Sequence, residues 1–359
     1  MTAALATAAL TLSLPARHLS LGGPPPAPRR YQVWRPVSLA GLSYAFGRRP
    51  MYGRETPTRL FRPLPAATVP DPSRGLHGYG GPNAPYVPVF VYHQVAPAGW
   101  PLTHGPDTVT PAHLAAALAY LARHHDPTLT PSQFLAYLHG RLRVPAGSVF
   151  LTFDNGLEGV DRFAFPLLRR YQVHATVFLI GGRTLPNHLD GQEAPYLRWP
   201  QVERMAASGL VTFESETYSL HHRDSAGPWR TAAAVLPRQS GGASGVERES
   251  AYVHALATDF MLQRATFEQH LHYAPDLLVW PFSTFTRIAL RVARAYGIRG
   301  AFVVQPGFAI PGVTALWRIP RNDVTFMDES LAADLATLAR VYRHERERAA
   351  ARAAVTAAG

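Results

Sequence analysis

The stretch Val149-Phe150-Leu151-Thr152-Phe153-Asp154-Asn155-Gly156 contains an apolar run that leads directly into a carboxylate, an amide and a glycine. Such a run is typical of a buried strand whose carboxyl end delivers polar side chains to the edge of a sheet. In folds built on parallel strands, ligands bind and chemistry occurs at that edge. An Asp-Asn-Gly cluster is also ordinary turn chemistry, so a plain strand followed by a turn is the alternative.

Strand patterns alternate with helix patterns on both sides of this stretch. Two helices are predicted to begin after the capping residues Thr110 and Thr130, each followed by proline. Residues 223–250 have the composition of a polar loop, and a final helix is predicted from Ser330 onward. The predicted strands cover residues 86–95, 149–153, 174–180, 210–216, 277–282, 300–304 and 317–321. This alternation favours a parallel sheet, either open or closed into a barrel.

The composition is that of a packed globular protein. The chain has 359 residues, of which 47% are apolar and 16% charged, so it is long enough for a sizeable core. Cysteine is absent, which excludes disulfides, thiolate metal sites and cysteine nucleophiles. The net charge is +11 and every basic residue counted is arginine, but no basic block is interleaved with aromatic residues. No nucleic-acid partner is therefore predicted.

The N-terminal part differs from the rest, being rich in proline, glycine and arginine from about residue 15 to residue 85. Residues 2–14 resemble the apolar region of a signal peptide, although no positive residue precedes them. They are either part of a signal that starts upstream or an unstructured start. No other run is apolar enough to span a membrane. The predicted organisation is an extension over 1–85, a compact domain over 86–325 and an Ala/Arg-rich helix over 326–359.

Polar side chains follow four of the predicted strands. Because the carboxyl ends of parallel strands lie at one rim of the sheet, all of these side chains are expected on that rim. An acid/base pair and a few metal ligands would meet there. These residues are His93, Asp154 with Asn155, Glu216 with His221, and the segment after Pro281.

Several segments resemble the polysaccharide deacetylase family, the NodB-homology group of carbohydrate esterases (family 4). Residues 152–156 resemble its Thr-Phe-Asp-Asp-Gly motif, and residues 215–221 resemble its Ser-His-Thr-Tyr-x-Leu-His motif. Residues 171–178 are similar to the strand between these motifs, and 279–283 to an aromatic-Pro-Tyr-Gly groove motif with serine in place of glycine. Residues 88–93 resemble the Tyr-His strand of the poly-N-acetylglucosamine deacetylase-like branch.

The resemblance implies an α/β fold, a distorted (β/α) barrel of the NodB-homology type. It also implies a hydrolase that removes N-acetyl groups from an N-acetylglucosamine-containing envelope or biofilm polysaccharide, and hence an extracytoplasmic location. By this resemblance Asp154 is the general base and His93 protonates the leaving amine. The substrate groove would be lined by Trp280, Pro281 and Phe282, although core packing explains the two aromatic residues equally well.

By the same resemblance, Asn155, Glu216 and His221 occupy the three metal-ligand positions. The chain departs from the family at two of them, since Asn155 replaces an aspartate and Glu216 replaces a histidine. The total charge of the three ligands is unchanged, so they can still hold zinc or a harder divalent ion such as cobalt, nickel or manganese. The rival hypothesis is a metal-free Asn155–Glu216 hydrogen bond in a catalytically impaired relative that binds glycan or a partner.

Four further residues are weaker candidates for the site. Glu214 shares a strand face with Glu216 and is either a functional carboxylate or a structural one. His222 is predicted to face solvent rather than to act as a ligand. Arg321 and Asp323 are predicted to support the rim from their position alone.

Overall fold

The computed structural model describes residues 76, 79–101, 107–184, 195–225, 231–233, 235, 249–326 and 330–358. Most of the predicted N-terminal extension, including the signal-like residues 2–14, lies outside these residues. The boundaries of the three predicted regions stay predictions.

Seven parallel strands close into a barrel, which confirms the predicted fold class and selects the closed form of the sheet. Around the barrel the order is β1-β11-β10-β9-β6-β5-β4, with two separate two-stranded sheets, β2-β3 and β7-β8. The strands are β1 Val89–Tyr92, β2 Gln94–Val95, β3 Thr108–Val109, β4 Phe150–Phe153, β5 Ala175–Leu179, β6 Val211–Ser215, β7 Arg223–Ser225, β8 Thr231–Ala233, β9 Leu277–Val279, β10 Gly300–Val304 and β11 Ile319–Asp323.

Two predictions about strands were wrong in detail. The last strand begins two residues later than predicted, because the Arg318 N–H closes a turn onto the Ala315 carbonyl at 2.9 Å. This shift carries Arg321 into the middle of β11. The segment predicted as a polar loop over 223–250 contains the antiparallel pair β7 and β8, with Asp224 opposite Ala232.

Helices connect the barrel strands and cover the barrel. Thr110 accepts a hydrogen bond from the His113 N–H, and Thr130 forms a reciprocal capping box with Gln133, as the two capping predictions required. Short π- or 3₁₀-helical turns occupy Val160–Ala164, Gly181–Arg183, Pro281–Ser283 and Val324–Phe326. The α-helices are α1 Pro111–His124, α2 Pro131–Leu138, α3 Phe165–Tyr171, α4 Trp199–Ala207, α5 Glu249–Leu271, α6 Arg287–Ala295 and α7 Leu331–Ala358.

Two apolar clusters fill the described part of the chain, and stacked aromatic rings occupy one of them. Phe134 of α2 lies parallel to Phe150 of β4 with 4.4 Å between ring centroids, and Phe150 stacks on Phe302 of β10 at 5.8 Å. The first turns of α7 contribute to the other cluster through the buried residues Leu331 and Leu338. No helix in the described part of the chain is long and apolar enough to cross a membrane.

Candidate active site

The carboxyl ends of the strands bring the predicted residues to one rim. Tyr92 of β1 pairs with Phe153 of β4, and Leu179 of β5 pairs with Ser215 of β6. The residue that follows each of these strand ends extends the same ladder, since the Asp154 N–H donates to the Tyr92 carbonyl at 2.9 Å. Glu216 continues β6 in the same way and donates to the Leu179 carbonyl at 2.9 Å.

Asp154 is held by a buried arginine from the last barrel strand. The Arg321 guanidinium donates to both carboxylate oxygens of Asp154, at 2.6 and 2.7 Å. Arg321 is fully buried, and its guanidinium lies 5.8 Å from the ring centroids of both Phe178 and Phe302. A two-point contact of this kind fixes the carboxylate in one orientation. Sequence position indicated that Arg321 supports the rim, but not that it pairs with Asp154.

His93 faces Asp154 without being bonded to it. The His93 Nε2 atom is 4.0 Å from Asp154 Oδ2, beyond hydrogen-bond range, and the Nδ1 atom has no hydrogen-bond partner among the described residues. Asp107 is a second carboxylate near His93. Burial raises the pKa of Asp107, and the His93 charge acts in the opposite direction. The Asp154 carboxylate and the His93 imidazole therefore face one another without sharing a hydrogen bond.

Glu216 joins the other two predicted ligands. Its Oε2 atom accepts the backbone N–H of Asn155 at 2.6 Å, while its Oε1 atom lies 3.3 Å from His221 Nε2. Asn155 adopts a left-handed backbone with φ of 69°, which asparagine tolerates better than most residues. Burial and the nearby charge of Asp154 raise the pKa of Glu216 well above its usual range. Burial and the Arg183 charge lower the pKa of His221 to about 3, so His221 is neutral at physiological pH.

Two of these three side chains have the spacing of donors to one divalent ion, and the third has an unused oxygen. The Asn155 Oδ1 atom is buried and has no hydrogen-bond partner among the described residues, so one ligand oxygen is left unused. Two donors at normal bond lengths from one tetrahedral ion lie about 3.4 Å apart, close to the 3.3 Å between Glu216 Oε1 and His221 Nε2. Within the described ranges no three His, Cys, Asp or Glu side chains are grouped so that they could hold a metal ion. The set named here differs from such a group in that its third donor, from Asn155, is an amide.

The three predicted groove residues occupy different environments. Trp280 is 1% exposed, stacks on Phe285 with ring centroids 4.8 Å apart, and donates its Nε1–H to the Trp317 carbonyl. Pro281 is also buried. Burial favours the core-packing alternative for Trp280, and the predicted substrate contact of these two residues stays a prediction. In the same segment, Phe282 is half-buried.

Phe282 lies directly beside the ligand positions. Its ring centroid is 4.7 Å from that of His221, and the Arg223 guanidinium lies 4.2 Å from the Phe282 centroid. Both Phe282 and Ser283 have left-handed backbones, with φ of 54° and 55°. Neighbouring left-handed non-glycine residues carry strain that must be held by their surroundings. Here the Ser283 Oγ atom accepts the Val304 N–H at 2.7 Å and anchors the turn to β10.

Three of the weaker candidates have structural partners. Glu214 accepts the backbone N–H groups of Asp276 and Leu277, each at 3.0 Å, and so secures the start of β9. The His222 ring bonds to the Ser219 carbonyl at 2.7 Å. Asp323 accepts the N–H and hydroxyl of Thr325 at the end of β11. None of these contacts belongs to the acid/base pair or to the predicted ligand set.

Comparison with known sequences gives the same family as the motifs. A family model described as polysaccharide deacetylase matches residues 141–301. A poly-β-1,6-N-acetyl-D-glucosamine N-deacetylase of Staphylococcus epidermidis is 31% identical over 117 residues, which are 32% of this chain and 38% of that protein. An enzyme of the same name from Staphylococcus aureus is 27% identical over 115 residues, 32% and 39% of the two chains. The matched part is thus less than two fifths of these relatives' length.

Solved structures resemble the chain over a larger part of its length. IcaB from Ammonifex degensii has a TM-score of 0.55 and 25% sequence identity, covering 67% of this chain and 93% of its own. The deacetylase domain of BpsB from Bordetella bronchiseptica has a TM-score of 0.56 and 24% identity, covering 68% and 98%. These similarities confirm the barrel fold. They extend beyond the family-model match, which contains Asp154 but neither His93 nor Arg321.

Proposed function

We propose that this chain, which belongs to the polysaccharide deacetylase family, removes N-acetyl groups from a polysaccharide that contains N-acetylglucosamine. The named activity of the Staphylococcus relatives supports this substrate class. Since the proposed substrate is an envelope or biofilm polymer, the proposal includes a location outside the cytoplasm.

One observation carries the proposal: a carboxylate fixed at both oxygens faces an imidazole, next to an amide, a carboxylate and a second, neutral imidazole. Asp154 and His93 are separated by 4.0 Å, so each can exchange protons with a substrate rather than with the other. Asn155, Glu216 and His221 supply the ligand set beside them.

In the proposed reaction a water attacks the carbonyl carbon of the acetamide while Asp154 takes the proton from that water. Two lone-pair sites of the Asp154 carboxylate remain for this purpose, because Arg321 uses the other two. The tetrahedral species then loses its carbon–nitrogen bond as His93 gives a proton to the departing nitrogen. Acetate and a free amine are the products.

The ligand set is proposed to be Asn155 Oδ1, Glu216 Oε1 and His221 Nε2. A divalent ion bound there supplies a Lewis acid that polarises the acetamide carbonyl and lowers the pKa of water. Two of the three donors are oxygens, so we propose zinc or a harder ion such as cobalt, nickel or manganese. Phe282, beside His221, is proposed as the groove residue that contacts a sugar ring.

Acetate release tests the function. Purified protein would be loaded in turn with zinc, cobalt, nickel and manganese and incubated with oligomers of β-1,6- and β-1,4-linked N-acetylglucosamine. We expect acetate in amounts exceeding the protein for at least one ion, and its loss after treatment with a chelator. A folded protein that releases no acetate from either oligomer with any of the ions would contradict the proposal.

A second candidate is a relative that binds glycan without hydrolysing it. The contact that favours it is the Glu216 bond to the Asn155 N–H, because it occupies one oxygen of the only ionisable acid among the three ligands. Under this alternative, the double variant Asn155→Asp with Glu216→His would release acetate and the parent would not. Acetate release by the parent rules the alternative out.

A further inference from the structure

The loop that carries His221 is strained at its first residue. Thr217 has a left-handed backbone with φ of 68°, which is exceptional for a β-branched residue, and it is fully buried. Its hydroxyl has no hydrogen-bond partner among the described residues. Backbone strain of this kind persists only where surrounding contacts hold the chain in place.

A pair of glycines holds this loop from the side of β5. The Gly181 N–H donates to the Thr217 carbonyl at 3.2 Å, and the Gly182 N–H donates to the Tyr218 carbonyl at 2.8 Å. A Cβ atom on Gly182 would lie 2.8 Å from that same Tyr218 carbonyl oxygen. The two segments can approach this closely only because no side chain stands between them.

Asp259 of α5 holds the loop from the other side. Its Oδ1 atom accepts the Tyr218 N–H at 2.8 Å, and its Oδ2 atom accepts both the N–H and the hydroxyl of Ser219, at 2.7 and 3.1 Å. Asp259 is 3% exposed, so water does not compete strongly for these contacts. A buried carboxylate with three donors is well satisfied, whereas its removal takes the acceptor away from the N–H groups of Tyr218 and Ser219.

We propose that Asp259 is a positioning residue for His221: its carboxylate fixes the backbone of Tyr218 and Ser219 and thereby sets where the His221 imidazole lies. The proposal rests on the proposed function in that it treats His221 as a metal ligand. His221 follows Ser219 by two residues, and its carbonyl is held in turn by Arg183 at 2.8 Å. Only one residue separates Ser219 from His221. A shift of the Ser219 backbone would therefore move the His221 imidazole as well.

The chain offers variants that separate positioning from general stability. Asp259→Ala removes all three contacts, whereas Asp259→Asn keeps one acceptor oxygen in the same volume. Tyr252→Phe is the matched control, because Tyr252 is buried on the same helix and bonds to the Val235 carbonyl and to Thr286, away from the loop. Each variant would be measured for its unfolding free energy, its dissociation constant for Co²⁺ and the ¹⁵N resonances of His221 without metal.

The expected result is a loss of Co²⁺ affinity of about 10- to 100-fold for Asp259→Ala, a smaller loss for Asp259→Asn and none for Tyr252→Phe. The His221 resonances should shift in the same order. Tyr252→Phe should leave them unchanged even though this variant is also less stable than the parent. Should Asp259→Ala fail to fold, Asp259→Asn decides the matter alone.

Unmoved His221 resonances in the Asp259 variants would overturn the proposal, as would equal Co²⁺ affinity in all variants. If the parent binds no Co²⁺, cobalt is excluded as the ion of the proposed function, and the His221 resonances of the metal-free protein still decide whether Asp259 positions the ring.

Discussion

At the scale of single residues, the site depends on buried charges that are tolerable only in pairs. Asp154 and Arg321 are 2% and 0% exposed and form two short hydrogen bonds. Removing one member of such a pair leaves an uncompensated buried charge, which costs much more than losing the attraction itself. In the surface pair Arg264–Glu268 both side chains are about half exposed, so water solvates either charge when its partner is removed.

Arg321→Met should therefore destabilise the protein by about 3–5 kcal/mol. The double variant Arg321→Met with Asp154→Asn should regain part of that loss, because the unpaired carboxylate is gone. Arg264→Met is the control and should change stability by less than about 1 kcal/mol. Urea unfolding measures all three. A double variant less stable than Arg321→Met alone would show that the buried charge is not the cause.

At the scale of single elements, two left-handed residues show the difference between functional and incidental strain. Thr217 is buried and held by contacts from two directions, next to a predicted ligand. His125 ends α1 with φ of 56°, is exposed and lies far from the rim in sequence, where its N–H caps the Ala122 and Leu121 carbonyls. Glycine is the residue that helix ends of this kind favour.

His125→Gly should stabilise the protein by up to about 1 kcal/mol, because it removes the left-handed strain and keeps the backbone cap. His124→Gly is the matched control one residue earlier, where the backbone is helical and glycine should cost about 0.5–1 kcal/mol. Thermal unfolding of the two variants should move in opposite directions. Equal shifts of one sign would contradict this interpretation of the α1 end.

The close contact between Gly182 and the loop that carries His221 gives a prediction about that loop. Gly182→Ala places a methyl group 2.8 Å from the Tyr218 carbonyl oxygen, so the loop must move. We expect a destabilisation of about 1–3 kcal/mol together with weaker Co²⁺ binding, measured by unfolding and by metal titration. Gly80→Ala, which meets nothing within 4 Å, should change neither quantity. Parent-like metal affinity in Gly182→Ala would show that the loop yields without moving His221.

At the scale of the whole molecule, burial of neutral groups makes stability depend on pH. His174 lies at the start of β5, where its ring bonds to the Thr212 hydroxyl at 2.9 Å. Burial lowers the pKa of His174 to about 4, below the usual value near 6.5. The unfolded chain therefore binds a proton more readily than the folded one as pH falls, so the contribution present above about pH 6.5 is lost between about pH 6.5 and 4.

His174→Asn should reduce this dependence. In the parent, a difference of about two and a half pKa units corresponds to roughly 3 kcal/mol of stability lost between pH 7 and pH 4. Unfolding free energies of parent and variant at several pH values in that window would be compared, with His125→Gly as a control that removes an exposed histidine. Parallel pH profiles for the parent and His174→Asn would contradict the assignment.

The sequence predicts much of this architecture because strands and caps are local features. The apolar run before Asp154, the prolines after Thr110 and Thr130 and the polar residues after each strand all act within a few positions. What it missed depends on contacts across the fold. Arg321 meets Asp154 across 167 positions, and Asp259 reaches Ser219 across 40, with nothing in either local pattern to connect them. The sequence left two roles open for Trp280, since an aromatic residue in a groove-like motif looks the same whether its ring is buried or exposed.

The most direct measurement compares the parent with Asp154→Asn, both loaded with the same divalent ion, for acetate release from an oligomer of β-1,6-linked N-acetylglucosamine. Asparagine keeps the shape of the side chain but cannot take the proton from water. We expect repeated turnover by the parent and a loss of at least about 100-fold in the variant, with unchanged metal affinity. Equal rates for the two proteins, or no acetate from a parent that holds its ion, would contradict it.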